Sequence, residues 1–227
     1  MPTSDPSDSP LAVNKHSVLI VDDHPIVREG LARLIAHEPD IEVCGGADNV
    51  SDALDQVASL RPDLVVVDIS LRDSNGLELI SELKCRHPNL RALVWSMFDE
   101  MVFAERALRA GAMGYVNKQQ PIDIVLEAIR QVLDGNVYLS TKIANLLVRR
   151  VGGISPIGQD PVRNLSDREF QVFEMIGRGL KAQEIARRIG LSVKTVETHR
   201  DRVKTKLNLR SAFEVNRYAT LWMLENG

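Results

Sequence analysis

Five side chains able to accept and stabilise a phosphoryl group follow apolar runs of the chain. They are two adjacent carboxylates, a third carboxylate, a hydroxyl and an ammonium: Asp22, Asp23, Asp68, Ser96 and Lys118. Three carboxylates in one pocket repel one another unless a hard cation lies among them, and oxygen ligands of this kind suit Mg²⁺. The ion would neutralise charge on a phosphoryl group carried by Asp68, while Lys118 adds a positive contact and Ser96 a hydroxyl donor. The set therefore predicts an Mg²⁺-dependent phosphoacceptor site.

Alternating β and α patterns predict the fold that would bring these residues together. Apolar runs predict strands near residues 17–22, 41–44, 63–68, 91–96 and 114–117, and helical patterns follow them at 25–37, 51–60, 76–86, 99–110 and 121–134. Such alternation is typical of α/β proteins, so we expect a doubly wound, five-stranded parallel sheet of the flavodoxin-like kind, covered by helices on both faces. In such sheets functional side chains gather at the carboxyl ends of the strands.

A Gly/Pro-rich segment separates this α/β part from a helical C-terminal part. Residues 152–161 contain five glycines and prolines, which predicts a linker, preceded by a short helix near 139–150. Ser166 and Glu169 then form a capping-box pattern, and Gly190 separates two short helices, as in a helix-turn-helix. The predicted organisation is a disordered tail at 1–15, a domain at 16–134, a linker helix and flexible linker at 135–163, and a small all-α four-helix domain at 164–227.

Composition excludes several classes of protein. Of the 227 residues, 44% are hydrophobic and 26% are charged, which excludes a collagen-like, mucin-like or wholly disordered chain. The apolar runs are far shorter than the roughly 20 residues of a membrane span, and the Pro/Ser/Asp-rich start does not resemble a signal peptide. We therefore expect a cytoplasmic protein with no membrane partner. The two cysteines lie in unrelated patterns, which argues against a disulfide scaffold.

Charge is unevenly distributed along the chain. Residues 1–159 carry 15 Lys and Arg against 22 Asp and Glu, a net charge of −7, whereas residues 160–227 carry 13 against 9, a net charge of +4. A basic C-terminal third favours nucleic acid as the partner of that part, although +4 alone is a weak indication.

Four of the five acidic-site residues also have a simpler explanation. Asp22 and Asp23 would cap a helix that begins at Pro25, Asp68 would only end a strand, and Lys118 would be a surface lysine. The placement of all five side chains at strand ends favours the site. A small Mg²⁺ phosphatase is a rival interpretation, but the chain lacks a paired Asp-x-Asp after one apolar strand and a substrate-covering cap.

Four segments resemble the receiver domain of bacterial two-component response regulators. They are Val18-Leu19-Ile20-Val21-Asp22-Asp23-His24, Val65-Val66-Val67-Asp68-Ile69-Ser70-Leu71, Val94-Trp95-Ser96 and Gly111-Ala112-Met113-Gly114-Tyr115-Val116-Asn117-Lys118, and the match spans about residues 16–134. The resemblance implies that a histidine kinase phosphorylates Asp68. It also implies Mg²⁺ ligation by Asp23, Asp68 and the Ser70 carbonyl, with Asp22 holding a metal-bound water.

The same resemblance assigns a conformational switch. It implies that the Ser96 hydroxyl moves toward the new phosphoryl oxygen and that the Tyr115 ring turns inward. Two departures from the family pattern stand out. Many receivers have a proline directly after the active-site lysine, whereas here Gln119 follows Lys118, so a cis bond between these two residues would cost a few kcal/mol more than a cis X-Pro bond. Asp73 adds charge in a loop that usually contains proline.

The C-terminal part resembles the LuxR-type helix-turn-helix, and the whole chain, over about residues 16–224, resembles a NarL/FixJ-type response regulator. The carrying segments are Leu165-Ser166-Asp167-Arg168-Glu169, the run from Glu184 to His199, and Lys206-Leu207. Helical spacing places Val196, Val203 and Leu207 in the core. It leaves one face of the third helix for a major groove: Lys194, Glu197, Thr198, Asp201 and Thr205.

Two kinds of DNA contact are expected from the third helix. Phosphate contacts are predicted for Lys194, Thr195, His199, Arg200 and Lys204. The resemblance places base-edge contacts at Glu197, Thr198 and Asp201, where Glu197 would accept a hydrogen bond from cytosine N4 and Thr198 would pack on a thymine methyl. The alternative is that Glu197 and Asp201 form only intrahelical pairs with Arg200, Arg202 or Lys204.

The last helix carries more apolar bulk than a small bundle easily buries. An exposed stripe that includes Phe213, Leu221 and Leu224 would serve as a homodimer face, although a core role for Phe213 and Leu221 is an equal alternative. Overall, the sequence predicts a transcriptional response regulator, not an enzyme beyond self-dephosphorylation, that dimerises on double-stranded DNA when phosphorylated. The alternative in the same class is a phosphorylation-independent regulator whose receiver is a dimerisation module.

Overall fold

The computed structural model describes residues 15–71, 74–151 and 161–226. The N-terminal tail, Asp73 and most of the Gly/Pro-rich linker lie outside these residues, so the expectations for them stay predictions. Within the described residues no peptide bond is cis, and the Lys118–Gln119 bond is therefore trans. In the same parts of the chain, no helix combines the length and apolar character that a membrane span requires.

The N-terminal part is an α/β unit built on one parallel sheet. Its elements are β1 (His16–Val21), α1 (Pro25–Ile35), β2 (Ile41–Ala47), α2 (Val50–Leu60), β3 (Leu64–Val67), β4 (Ser70–Leu71), β5 (Ser74–Asn75), α3 (Gly76–Arg86), β6 (Arg91–Ser96), α4 (Glu100–Ala110), β7 (Gly114–Asn117) and α5 (Asp123–Leu133). The sheet order is β2-β1-β3-β6-β7, and β4 and β5 form a separate short antiparallel pair that the sequence patterns did not predict. The predicted doubly wound, five-stranded parallel sheet is confirmed.

Side-chain alternation along the central strands fills two hydrophobic cores. On β1, Leu19 and Val21 join the core on one face of the sheet, while Val18 and Ile20 join the core on the other face. Successive side chains of a strand point to opposite faces, so a strand covered on both sides must be apolar at every position. This explains why β1 and β3 are continuous apolar runs.

The C-terminal part is a helical bundle. After α6 (Thr141–Val151) and a 3₁₀ turn (Pro161–Asn164) come α7 (Asp167–Gly177), α8 (Ala182–Arg188), α9 (Val193–Lys206) and α10 (Ala212–Asn226). The Ser166–Glu169 capping box at the start of α7 is present, and Gly190, at φ +65°, makes the turn between α8 and α9. Val196, Val203 and Leu207 are buried as the helical spacing predicts. The helical helix-turn-helix domain is thus confirmed.

Candidate phosphoacceptor site and nucleic-acid interface

Backbone pairing places Asp68 and Lys118 at one edge of the sheet. The Asp68 N–H donates to the Val21 carbonyl at 2.9 Å, and the Lys118 N–H donates to the Ser96 carbonyl at 2.8 Å, so pairing continues just past the strand ends. Gly76, the first residue of α3, lies against the Asp68 backbone, and a Cβ on it would come within 2.1 Å of the Asp68 carbonyl oxygen. A side chain at position 76 would therefore displace the Asp68 backbone.

Four of the five predicted side chains are linked by hydrogen bonds to the Asp68 carboxylate or the Lys118 ammonium. The Lys118 ammonium donates to Asp68 Oδ2 at 2.7 Å and to Asp22 Oδ2 at 2.6 Å. The Ser96 hydroxyl donates to Asp68 Oδ1 at 2.6 Å. Asp22, Asp68 and Ser96 are buried, so these contacts form in a poorly solvated pocket. The structure thus brings together residues that are up to 96 positions apart in sequence.

The pocket keeps the lysine charged. Burial by itself lowers the pKa of Lys118, but the nearby carboxylates of Asp68 and Asp22 outweigh burial and raise the pKa above its ordinary value. Lys118 is therefore an ammonium at physiological pH and contributes a full positive charge next to the Asp68 carboxylate.

The donor set fits a divalent hard cation. Ligand atoms of Asp22, Asp23, His24 and Asp68 lie within 4.8 Å of one another. The three carboxylates carry three negative charges, and the Lys118 ammonium compensates only one of them, which leaves about two charges for an ion. The His24 imidazole lies beside the carboxylates, with Nδ1 2.8 Å from Asp23 Oδ1. Carboxylate oxygens at this spacing suit Mg²⁺.

The two residues predicted to act as a switch, Ser96 and Tyr115, are both buried in this structure. The Tyr115 ring is buried, and its hydroxyl donates to the Phe98 carbonyl at 2.8 Å. Burial, followed by the charges of Asp68 and Glu174, raises the pKa of Tyr115 well above its ordinary value, so the phenol stays neutral. The Ser96 hydroxyl, which donates to Asp68, is buried as well, and the role of the two residues as a switch stays a prediction.

The C-terminal domain borders the acidic site. A cavity of about 710 Å³ lies between the two parts of the chain. Its lining includes residues of the α/β part, of α7 and its C-cap, and of α8: Asp68, Ser96, Lys118, Glu174, Arg178 and Arg188. Asp68 therefore faces a space that the helical C-terminal part of the chain helps to enclose.

Glu174 is a buried carboxylate at this boundary. Its side chain is 6% exposed, and Oε1 accepts a hydrogen bond from Arg178 at 2.5 Å. Oε2 has no hydrogen-bond partner among the described residues. Burial raises the pKa of Glu174 to about 7, with Arg178 opposing that effect and Asp99 adding to it.

The predicted DNA-facing surface of α9 is open. All five residues assigned to that face are exposed: Lys194, Glu197, Thr198, Asp201 and Thr205. Ser192 caps the helix and accepts a hydrogen bond from the Thr195 N–H. The α/β part therefore does not cover these side chains of α9 in this arrangement.

Intrahelical contacts engage both acids of α9. Arg200 Nη1 lies 3.5 Å from Glu197 Oε1, and Lys204 Nζ lies 2.9 Å from Asp201 Oδ1. These are the pairs that the alternative interpretation expects. Burial, followed by the charge of Arg202, lowers the pKa of His199, which keeps the imidazole neutral near pH 7.

The last helix has one buried and one exposed apolar side. Trp222 packs edge-on against Phe170 and Phe173 of α7, whereas Phe213 and Leu224 are 74% and 78% exposed. Leu221 is also exposed. The core role considered for Phe213 and Leu221 is thus wrong for this chain, and both belong to an open apolar stripe.

Sequence reasoning missed several residues around the acidic site. Trp95 lies beneath the Lys118 ammonium, and His24 contacts Asp23; both directly adjoin predicted site residues, which was an available indication. Glu174, Arg178 and Arg188 had no such indication, because only the packing of the two domains brings them to the cavity.

A receiver-like α/β domain with this acidic site, followed by a helix-turn-helix domain, defines the class of DNA-binding response regulators. Residues 18–130 match the family of the response regulator receiver domain, and residues 163–219 match the LuxR family of bacterial regulatory proteins. The chain belongs to the NarL/FixJ-type response regulators, and it is a regulator and not a typical enzyme.

Individual relatives agree with this assignment over most of the chain. It is 33% identical over 208 residues to the oxygen regulatory protein NreC of Staphylococcus epidermidis, which covers 89% of this chain and 95% of NreC. It is 37% identical over 199 residues to the response regulator GacA of Pseudomonas aeruginosa, with 87% and 92% covered. The fold resembles that of RcsB from Salmonella enterica serovar Typhimurium at a TM-score of 0.62 and 23% identity, over 91% of this chain and 99% of RcsB.

Proposed function

We propose that a histidine kinase phosphorylates Asp68 and that this modification controls DNA binding by the C-terminal domain. The observation that carries the proposal is the set of contacts at the Asp68 carboxylate: Lys118 on one oxygen at 2.7 Å and Ser96 on the other at 2.6 Å. Both donors lie where negative charge would develop on a transferred phosphoryl group.

The transfer is a displacement at phosphorus. A carboxylate oxygen of Asp68 forms the new O–P bond while the donor's bond to phosphorus breaks. With phosphohistidine that bond is N–P, and the released imidazole takes up a proton; with acetyl phosphate it is O–P, and acetate leaves. Lys118 and Ser96 orient the acceptor and donate hydrogen bonds, and Tyr115 responds to the new group. Return of the phosphoryl group to water would be self-dephosphorylation.

Asp22, Asp23 and Asp68, with the Ser70 carbonyl, would hold Mg²⁺. When bound, the ion supplies charge neutralisation for the transferred phosphoryl oxygens. Support comes from the local charge balance, in which one ammonium faces three carboxylates at ligand spacing. His24, which contacts Asp23, would orient that carboxylate.

The output side of the proposal is a homodimer on double-stranded DNA in the cytoplasm. Lys194, Thr195, His199, Arg200 and Lys204 would contact phosphates, and Glu197, Thr198 and Asp201 would face base edges. Support comes from the exposed α9 face and from the exposed apolar stripe of α10. The domain limits follow the same scheme: tail 1–15, receiver 16–134, linker 135–163 and DNA-binding domain 164–227.

Incubation with acetyl phosphate and Mg²⁺ tests the proposal. We expect one phosphoryl group on the wild-type chain, none on Asp68→Asn, and unchanged labelling of Asp55→Asn, a control at an exposed position of α2. Phosphorylated wild type should bind DNA or dimerise more tightly, and Asp68→Asn should not gain. Labelling of Asp68→Asn, or equal gains in both proteins, would contradict the proposal and favour a receiver that acts only as a dimerisation module.

A further inference from the structure

Trp95 supports the ammonium of Lys118 from below. Lys118 Nζ lies 5.4 Å from the centroid of the Trp95 ring, within the range of a cation–π contact. Trp95 is 7% exposed and belongs to the buried cluster that contains Val18, Ile20 and Val116. The ring is therefore a fixed surface and not a mobile neighbour.

Strand register explains why the ring meets this particular lysine. In the pairing of β6 with β7, Trp95 lies opposite Val116 and Ser96 lies opposite Asn117. The Lys118 N–H then bonds to the Ser96 carbonyl, which anchors the lysine backbone one residue beyond Trp95. From this anchor the lysine side chain runs toward the carboxylates with its ammonium over the indole.

The ammonium has two carboxylate contacts and one aromatic contact. Its hydrogen bonds to Asp22 and Asp68 use two of its three N–H donors. The face of the Trp95 indole lies close enough to attract the positively charged ammonium as well. Lysine is a flexible chain that holds one geometry poorly by itself. A buried aromatic face limits where the ammonium can lie when the charge at Asp68 changes.

We propose that Trp95 is a positioning residue for Lys118 in phosphoryl transfer to Asp68. This inference rests on the proposed function, since it concerns the same reaction. In this role Trp95 does not touch the transferred group. It holds the Lys118 ammonium in the position where it donates to both Asp22 and Asp68. The effect requires an aromatic face at position 95 and a cation at position 118.

A double-mutant cycle on the full-length chain tests the inference, with Mg²⁺ and acetyl phosphate as the probe. We expect Trp95→Leu to slow labelling of Asp68 by about 3- to 30-fold, and Trp95→Phe to lose less, because phenylalanine keeps a weaker aromatic face. In a Lys118→Met background, where no cation remains, Trp95→Leu should change the labelling rate by less than about twofold. A purely structural role would give the same loss in both backgrounds.

Fluorescence and unfolding measurements complete the test. The emission of Trp95, taken as the difference between wild type and Trp95→Phe, should change when Lys118 is replaced by Met, because the ammonium over the ring is removed. If Trp95→Leu does not fold, the double-mutant cycle is run with Trp95→Phe in the wild-type and Lys118→Met backgrounds, because this substitution removes less side-chain volume. Equal losses in the two backgrounds, or no loss at all, would overturn the role of Trp95. Absence of labelling in the wild-type chain would instead overturn the proposed function and this inference with it.

Discussion

Arg106 of α4 and Asp167 of α7 form an ion pair that joins the receiver to the DNA-binding domain, with Nη1 2.8 Å from Oδ1. The Arg106 guanidinium also lies over the rings of Phe103 and Phe170, and these rings meet edge to face at 5.0 Å. One arginine thus combines a cross-domain charge contact with two aromatic contacts. The receiver thus contacts the first helix of the DNA-binding domain directly.

The cross-domain contact predicts the behaviour of an Arg106→Gln variant. Loss of a partly buried ion pair and of the stacked guanidinium should weaken domain packing by about 1–2 kcal/mol, or roughly 5- to 30-fold in the ratio of packed to separated domains. Hydrogen exchange in α4 and α7 and small-angle scattering would measure the change. Arg109→Gln is the matched control, because Arg109 lies three residues later on α4 and its exposed guanidinium pairs with Glu105 of the same helix. Equal effects of the two substitutions would contradict the prediction.

Glu174 predicts a pH dependence of domain packing. Burial in the packed arrangement raises its pKa from the ordinary 4.5 to about 7. Because packing raises the pKa of this carboxyl, the packed domains bind its proton more tightly than the separated domains do. Packing is therefore most favourable below about pH 4.5 and weakens as the pH rises toward 7. Above about pH 7, Glu174 is ionised in both arrangements and adds no further pH dependence. Domain separation measured by scattering should therefore increase between those values.

Variants isolate Glu174 from the other charges that face it. The groups around the same boundary are Arg178 just after α7, Asp99 before α4, Tyr115 on β7 and Arg188 on α8. Glu174→Gln is neutral at every pH and should remove the dependence.

A matched control for this experiment lies on α3. Glu82→Gln alters another Glu–Arg pair at i,i+4 spacing, one that is more exposed, and should leave the profile unchanged. A profile that persists in Glu174→Gln would assign the dependence to another group.

The exposed face of α9 predicts two different kinds of DNA-binding defect. Lys194→Ala should weaken binding to all sequences and reduce the salt slope of log K by about 1, as expected for one phosphate contact. Glu197→Ala should change preference at one base pair by about 1–3 kcal/mol if Glu197 reads a cytosine. A uniform effect of Glu197→Ala would instead show that its pair with Arg200 is its only role. Binding titrations on a panel of duplexes at several salt concentrations separate these outcomes.

The apolar stripe of α10 predicts a dimerisation defect without unfolding. Leu224→Gln removes an exposed apolar side chain, so monomer stability should change by less than about 0.5 kcal/mol while self-association weakens. Sedimentation with and without phosphorylation measures association, and thermal melting checks the fold. Trp222→Ala is the contrasting variant: its ring packs on Phe170 and Phe173, and its loss should cost about 3–5 kcal/mol of stability. Unchanged association of Leu224→Gln would place the dimer face elsewhere.

Much of the site was predictable because parallel sheets impose a simple geometry. Asp22 and Asp68 directly follow apolar strands, and neighbouring parallel strands end at the same edge, so their convergence follows from the pattern alone. The presence of the short β4–β5 pair, by contrast, was not predictable, because two residues per strand are too few to show a periodic pattern.

The sequence by itself determined the element order, the parallel sheet, the capping box at Ser166 and the exposed face of α9, because each depends on local periodicity or on residue types at short spacing. Tertiary structure alone decided that Arg106 meets Asp167, that Trp95 lies under Lys118, and that the carboxylate of Glu174 is buried beside the phosphoacceptor cavity. These contacts join residues distant in sequence, and their energies depend on burial and on the packing of two domains. No local pattern encodes either quantity.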